Sequence, residues 1–425
     1  MNDKQKKLIS ILIAMLCICT MSMTFIACSN SKSVSSSNQS NNSATSDSNV
    51  ASELITLPEV TTQEPTTTAP DIEIDMMMIG DILAHEGVYK SGLMDDGTYN
   101  FDHLFKNILS DTAASDINVV NQEVILGGTE LGLSAYPCFN SPYEIGDAEV
   151  KAGFNVVLGA SNHPLDKWTD GLNNCMNFWS TKHPETMLLG LNKSQEEQDT
   201  IPIYEKNGFK VALLNYTYGC NGIPLPDSMP YCVNLLDTDK ITADVTKAKE
   251  LADMVVVFPH WGTEYSYEPD SNQVYWTNLF LNLGVDVVLG DHPHVIEPVE
   301  TITREDGHQM VVFYSIGNFV CNQNEKPRVI GGMAKVLLVK KASDGSCYIK
   351  GYSFEPVIAH IVFGQGKITT YKLSEYTDSL ANENWIKQQE GCSDFTISYC
   401  QQLCSMVLGE DYNPTTSKLS VTLNP

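Results

Sequence analysis

The chain reads as an α/β domain, and three observations predict it. Short apolar runs alternate with amphipathic stretches along the middle of the 425 residues, the pattern of strand–helix units. Five of those runs end in a carboxylate, an imidazole or a carboxamide. That places one polar site at a sheet edge, where open α/β sheets bind ligands. Three later strands follow one another without helices between them, which adds a second, antiparallel sheet.

The elements follow in order. Lys4, Lys6 and Lys7 precede an apolar run from Leu8 to about Ile26, and Ala27-Cys28 then gives way to Ser and Asn. A basic start, an apolar run and a small residue before the break are the parts of a secretory signal. Cys28 after Ala27 resembles a bacterial lipobox, in which that cysteine becomes the lipidated first residue; Phe25 stands where such boxes usually carry Leu. The alternative is an uncleaved signal anchor, because the run approaches the ~20 residues that span a bilayer. Either way the bulk of the protein is expected on the extracytoplasmic face of the cell membrane. Residues 29–71 are rich in Ser, Asn, Thr and Pro and poor in large apolar side chains, too poor to offset the entropy of ordering them. They read as a flexible tether with a reach of about 35 Å.

The first strand is Asp75 to Asp81, ending in Gly80-Asp81. The second is Asp116 to Glu123, ending in Asn121-Gln122-Glu123, and the third is Asn155 to His163, ending in Asn162-His163. The fourth runs from Met254 to His260, and the fifth is Val285 to Leu289, followed by Gly290-Asp291-His292-Pro293-His294. Helices are expected over Phe101–Ala114, Thr169–Trp179, Thr238–Ala252 and Asn272–Leu283, each with apolar residues at helical spacing. The later strands are Met310–Tyr314, Ala334–Lys340 and Ser346–Phe354. From about Ser374 to Gly409 the sequence turns helical and polar. Residues 371–425 therefore read as an appended C-terminal helical segment packed on a main domain of residues 72–370.

His292 and His294 organise the site. Two imidazoles at i and i+2 just past a strand end can turn toward one point only if the backbone leaves extended geometry. Gly290 and Pro293 are expected to supply that break. Oxygen and nitrogen donors in this mixture suit two clustered divalent cations.

The blocks Gly80-Asp81, Asn121-Gln122-Glu123, Ser161-Asn162-His163-Pro164-Leu165-Asp166, His260-Trp261-Gly262-Thr263-Glu264-Tyr265, Gly290-Asp291-His292-Pro293-His294 and Ser315-Ile316-Gly317-Asn318-Phe319 resemble, in this order, those of the calcineurin-like metallophosphoesterases. More closely they resemble the CapA/PgsA-type proteins of poly-γ-glutamate capsule synthesis. The resemblance covers roughly residues 72–335. It implies a metallophosphoesterase-like sandwich of two sheets flanked by helices, and two divalent ions, Mn, Fe or Zn. Asp81 would serve as a monodentate ligand, Glu123 as a bridging carboxylate, and Asn162, His260, His292 and His294 as neutral ligands. His163 is placed to protonate a leaving oxygen, with Asp166 orienting its ring. Asn318 is expected to line the cleft; His85, four residues after Asp81, reads as a loop histidine, with reach to the first metal as the alternative. Gln122 stands in place of a usual Leu, Ser161 of Asn, Lys167-Trp168 of an aromatic-Gly pair, and Glu123 of the Asp that phosphoesterases generally carry. The extra methylene of Glu123 bears on metal spacing, and Lys167-Trp168 on substrate fit.

Lys and Arg number 26 against 52 Asp and Glu, a formal net charge of −26. Nucleic acid is a poor partner for such a surface, and an anionic polymer is not held by simple basicity either. Of the 12 cysteines, Cys17, Cys19 and Cys28 belong to the N-terminal segment. The other nine are odd in number and show no C-x-x-C spacing, so a structural zinc is not expected. Two functional classes follow. One is a surface-anchored capsule biosynthesis or assembly protein whose partners are the membrane, an anionic polymer and membrane-bound capsule synthesis components. The other is a metal-dependent hydrolase of a phosphoester or a γ-glutamyl amide.

Overall fold

The computed structural model describes residues 69–423. Cys28 and the expected tether up to residue 68 lie outside the described residues. Two sheets form the body. The first opens with four parallel strands, β1 (Ile72–Ile82), β2 (Ile117–Asn121), β3 (Val156–Leu158) and β4 (Met187–Leu189). Their near-continuous apolar runs fit strands covered on both faces. The chain then builds the second sheet from β5 (Ile203–Lys206), β6 (Phe209–Thr217), β7 (Met254–His260), β8 (Val287–Leu289), β9 (Val299–Thr303) and β10 (Gln309–Phe313), in the order β5-β6-β7-β8-β10-β9. It returns to the first sheet with β11 (Asn318–Val320), β12 (Ile330–Lys340), β13 (Cys347–His360), β14 (Thr369–Lys372), β15 (Tyr412–Asn413) and β16 (Lys418–Thr422).

Alternation along β6 shows how the layers stack. Val211 and Leu213 join the large core shared with β1, β2 and β12. Ala212 and Leu214 face the other way, onto Ile241, Val245, Ala248 and Phe280 of the helices Thr238–Leu251 and Ser271–Leu283. Successive strand residues point to opposite faces, so one face of the second sheet packs on the first sheet and the other on helices. On the far side the helix Trp168–Lys182 buries Leu172, Cys175, Met176 and Trp179. The architecture is the two-sheet α/β sandwich flanked by helices that the resemblance implied.

Several expectations are corrected. The three later strands do not form a separate antiparallel sheet. β10 lies parallel to β8 in the second sheet, whereas β12 and β13 pair antiparallel in the first, with β12 against β1. Nor is the polar site at the edge of one sheet: β1, β2 and β3 belong to one sheet and β7 and β8 to the other. The expected helix over Phe101–Ala114 is two single turns, Asp102–Phe105 and Leu109–Thr112. Between them Asn107 turns its side-chain amide to the Thr370 carbonyl, 2.8 Å away. The C-terminal segment contains its helices, chiefly Ile397–Leu408, but it also returns β16 to pair with β13. It is a sheet edge as much as a helical appendage. Among the described residues no helix is long and apolar enough to cross a membrane.

Candidate metal centre

Register brings the site together. β11 lies beside β1 with Asn318 opposite Asp81, and on the other side of β1 Asn121 stands opposite the same Asp81. A Cβ at Gly80 would overlap the Gly317 carbonyl oxygen, so the two strand ends meet closely only because residue 80 is glycine. In the second sheet the parallel bridge between His260 and Asp291 aligns the ends of β7 and β8. Val124 and His163 are bridged in the same way past β2 and β3. Strand ends of both sheets thus converge on one buried cleft.

The tightest group is Glu123, His292 and His294, whose donor atoms all lie within 4.8 Å of one another. Neither oxygen of Glu123 has a hydrogen-bond partner, and neither has Nδ1 of His292. Burial, then the charges of Asp81 and Asp291, push the Glu123 carboxyl well above its usual range. Burial, then the neighbouring imidazoles, push His260 and His292 well below theirs. A buried pocket that holds two orphaned carboxylate oxygens, with the imidazoles of His260 and His292 kept from charging, is short of positive charge. The donor chemistry fits a divalent cation.

The remaining expected ligands surround this group. Asp81 Oδ2 accepts from His294 Nδ1 at 2.9 Å, and its Oδ1 accepts from Asn121 Nδ2 at 2.7 Å. Asn162 Oδ1 lies 3.0 Å from His260 Nε2, which is 4.0 Å from Glu123 Oε1. Asn318 lines the cleft, with Oδ1 3.1 Å from His294 Nδ1. His163 Nδ1 donates to Asp166 Oδ2 at 2.6 Å, and the Phe139 backbone N–H donates to the same oxygen at 2.7 Å. That fixes the imidazole with Nδ1 engaged by Asp166 and turns Nε2 away from that carboxylate. His85 has its Nδ1 3.1 Å from the Leu83 carbonyl oxygen, and its ring packs on Phe139, which also packs on His163. Burial lowers the pKa of His85 to about 4.

The backbone break falls elsewhere than expected. His292 and His294 themselves take positive φ, 101° and 59°. Gly290 is needed for space, since a Cβ there would overlap the Tyr314 carbonyl oxygen and Trp261 Nε1. Four residues given no role by sequence reading also belong to the site. Asp291 is buried with both oxygens unpartnered, and burial, then Asp81, raise its pKa strongly. Asn121 tethers Asp81. The Tyr218 ring lies 4.7 Å from His292. Asn221, at φ 50°, accepts from Asn162 Nδ2 at 3.2 Å and places its own amide nitrogen 3.3 Å from His163. Asp291 and Asn121 stood inside the quoted motifs and were within reach of sequence reading. Tyr218 and Asn221 come from the loop after β6, which no motif marked.

An α/β sandwich with a buried carboxylate–imidazole centre where the strand ends of both sheets meet is the class that fold and site define. A family model described as bacterial capsule synthesis protein PGA_cap matches residues 75–323, and the chain belongs to that family. It is 30% identical over 171 residues to the "PGA biosynthesis protein CapA" of Bacillus subtilis, spanning 40% of this chain and 43% of that protein. It is 29% identical over 178 residues to the "Capsule biosynthesis protein CapA" of Bacillus anthracis, spanning 41% of each. The match thus spans less than half the length of these relatives. Among solved structures it is similar to the NAD nucleotidase of Haemophilus influenzae, with TM-score 0.40, 10% identity, and 66% of this chain and 49% of that one covered. It is also similar to a 5'-nucleotidase precursor of Thermus thermophilus, with TM-score 0.40, 12% identity, and 68% and 54% covered.

Proposed function

We propose that this protein is a surface-anchored component of poly-γ-glutamate capsule biosynthesis whose cleft holds two divalent ions, Mn, Fe or Zn. The observation that carries the reading is Glu123: a fully buried carboxylate without a hydrogen bond, beside His292 and His294. Family membership supports the capsule role, and the donor set supports the metals. Glu123, as the bridging carboxylate, with His292 and His294 would form the core of the ligand set, and Asp81, which contacts His294, and Asn162 and His260 would supply the further donors. Bound divalent ions supply a nucleophile from water at neutral pH and polarise an ester or amide oxygen. Lipid on Cys28 would hold the protein to the membrane, close to an anionic polymer and membrane-bound synthesis components.

A second reading, hydrolysis of a γ-glutamyl amide or a phosphoester, is favoured by the His163–Asp166 pair. Asp166 fixes the ring, and His163 can then hand a proton to a leaving atom from Nε2. One side-by-side comparison tests both readings, using Asp81→Ala, His163→Ala, His292→Ala and Cys28→Ala in the full chain. Metal content, turnover of an activated phosphodiester and of a γ-glutamyl polymer, membrane fractionation and polymer yield in cells are measured together. His292→Ala should lose most of one ion, and Asp81→Ala should lose metal and activity together. His163→Ala should keep its metal while turnover falls roughly 10²–10⁴-fold. Cys28→Ala should leave the membrane fraction. A folded wild-type chain without metal overturns the centre. Absence of turnover on both substrates, with normal polymer yield in His163→Ala, removes the catalytic reading and leaves an assembly factor.

A further inference from the structure

The chain contains two arginines, Arg304 and Arg328. Arg304 is consumed on the surface: Nε and Nη2 donate to Asp306, and Nη1 to the carbonyls of Leu281 and Asn282. Arg328 is placed differently. Its guanidinium carbon lies 3.5 Å from the centre of the Tyr265 ring, and that ring is 6.0 Å from the ring of His294. Its Nε is buried without a hydrogen-bond partner. Nη2 donates to Glu325 Oε1 at 2.6 Å, and the Glu325 side chain is 57% exposed.

Both halves of the stacked pair are tied to the metal-site loops. The Tyr265 N–H donates to the Pro293 carbonyl at 2.7 Å, between the two histidines. The Arg328 carbonyl accepts from Asn318 Nδ2 at 2.8 Å, and Asn318 Oδ1 lies against His294. Gln323 closes the ring, accepting from Asn318 and donating to the Tyr265 hydroxyl. A guanidinium seated over an aromatic ring presents its outer nitrogens to a planar oxyanion, and here Nη2 is the one already meeting a carboxylate. Glu325 already shows that a carboxylate fits one nitrogen of that fork. In a chain of net charge −26 an anionic substrate is repelled at long range, and Arg328 is a fixed cation beside the cleft that adds to the charge bound ions would supply.

We propose that Arg328, seated on Tyr265, binds an oxyanion of the substrate, the carboxylate of a γ-linked polymer or the phosphate of an ester, with Glu325 as an internal competitor. This rests on the reading of the cleft as acting on an anionic capsule substrate. The test is calorimetric titration of the full chain with two probes, a γ-linked glutamate tetramer and inorganic phosphate, with metal content measured on every sample. Arg328→Gln should weaken at least one probe roughly ten- to a hundredfold, the value of a lost charge-assisted contact, without loss of metal. Glu325→Gln should tighten the same probe, an effect that a merely structural ion pair would not give. The probe that responds tells carboxylate from phosphate. Unchanged binding in Arg328→Gln, weakening in both variants alike, or a wild-type chain that binds neither probe overturns the proposal. A wild-type chain without metal would sink the metal reading alone, because the comparison of the two variants still reports on the arginine.

Discussion

His292 and His294 sit in the left-handed region, at φ 101° and 59°, where a side chain with a Cβ is strained by about 1–3 kcal/mol. The neighbours hold them there. The Ser315 hydroxyl donates to the Val295 carbonyl at 2.7 Å, Asn318 Nδ2 donates to the His294 carbonyl at 3.2 Å, and Tyr265 N–H donates to Pro293. Gly80 is the matching position on the opposite sheet. Gly80→Ala should push β1 and the Gly317-Asn318 turn apart, because the added methyl meets backbone and has no side chain to displace. We expect a stability loss of about 3 kcal/mol or more and a fall in bound metal, since Asp81 and Asn318 move with their strands. Urea unfolding and elemental analysis check this; wild-type stability with full metal content would show that the close approach is not needed.

At the scale of elements, the helix Ser271–Leu283 is anchored by its first turn. Asp270 caps the N-terminus, and Gln273 returns the bond in a capping box. Gln273 Nε2 also donates to the buried Glu297 at 2.6 Å, linking the helix to the segment between β8 and β9. Burial raises Glu297 from about 4.5 to about 8, with Asp270 and Glu268 adding to the rise. The folded chain therefore keeps this proton between pH 4.5 and 8 while the unfolded chain has released it. Stability from this residue is full below pH 4.5 and is lost as pH rises toward 8. Glu297→Gln removes that loss. Its stability relative to wild type should climb on the order of 2–4 kcal/mol from about pH 5 to about pH 8, measured as paired urea midpoints. A difference that stays flat across this range would contradict the assignment.

For the molecule as a whole, the C-terminal return is the feature that sets how much chain the fold needs. β16 covers the middle of β13, from Gly351↔Thr422 to Phe354↔Leu419, and Tyr412 and Leu419 are buried against the core. A chain ended after Asp411 should lose about 3–5 kcal/mol, the burial of those two side chains together with the paired edge. It should also aggregate more readily through the uncovered strand. Light scattering and thermal unfolding measure this, and wild-type behaviour would mean that residues 412–423 are dispensable to the fold.

Local pattern alone determined the strand–helix alternation, the helices over Trp168–Lys182, Thr238–Leu251 and Ser271–Leu283 to within a few residues, and the polar ends of five strands. Apolar periodicity and strand-end chemistry are written within a dozen residues, so they are legible without the fold. The pairing of His163 with Asp166 falls in the same range, three residues apart. Tertiary structure decided which strands share a sheet, because register between β1 and β12 or between β8 and β10 depends on partners more than 20 residues distant. It alone brought Tyr218, Asn221 and Arg328 to the cleft, since long-range packing places a loop side chain and periodicity does not mark it. It also moved the break in the His292–His294 loop from Gly290 and Pro293 onto the histidines, whose strain only surrounding contacts can sustain.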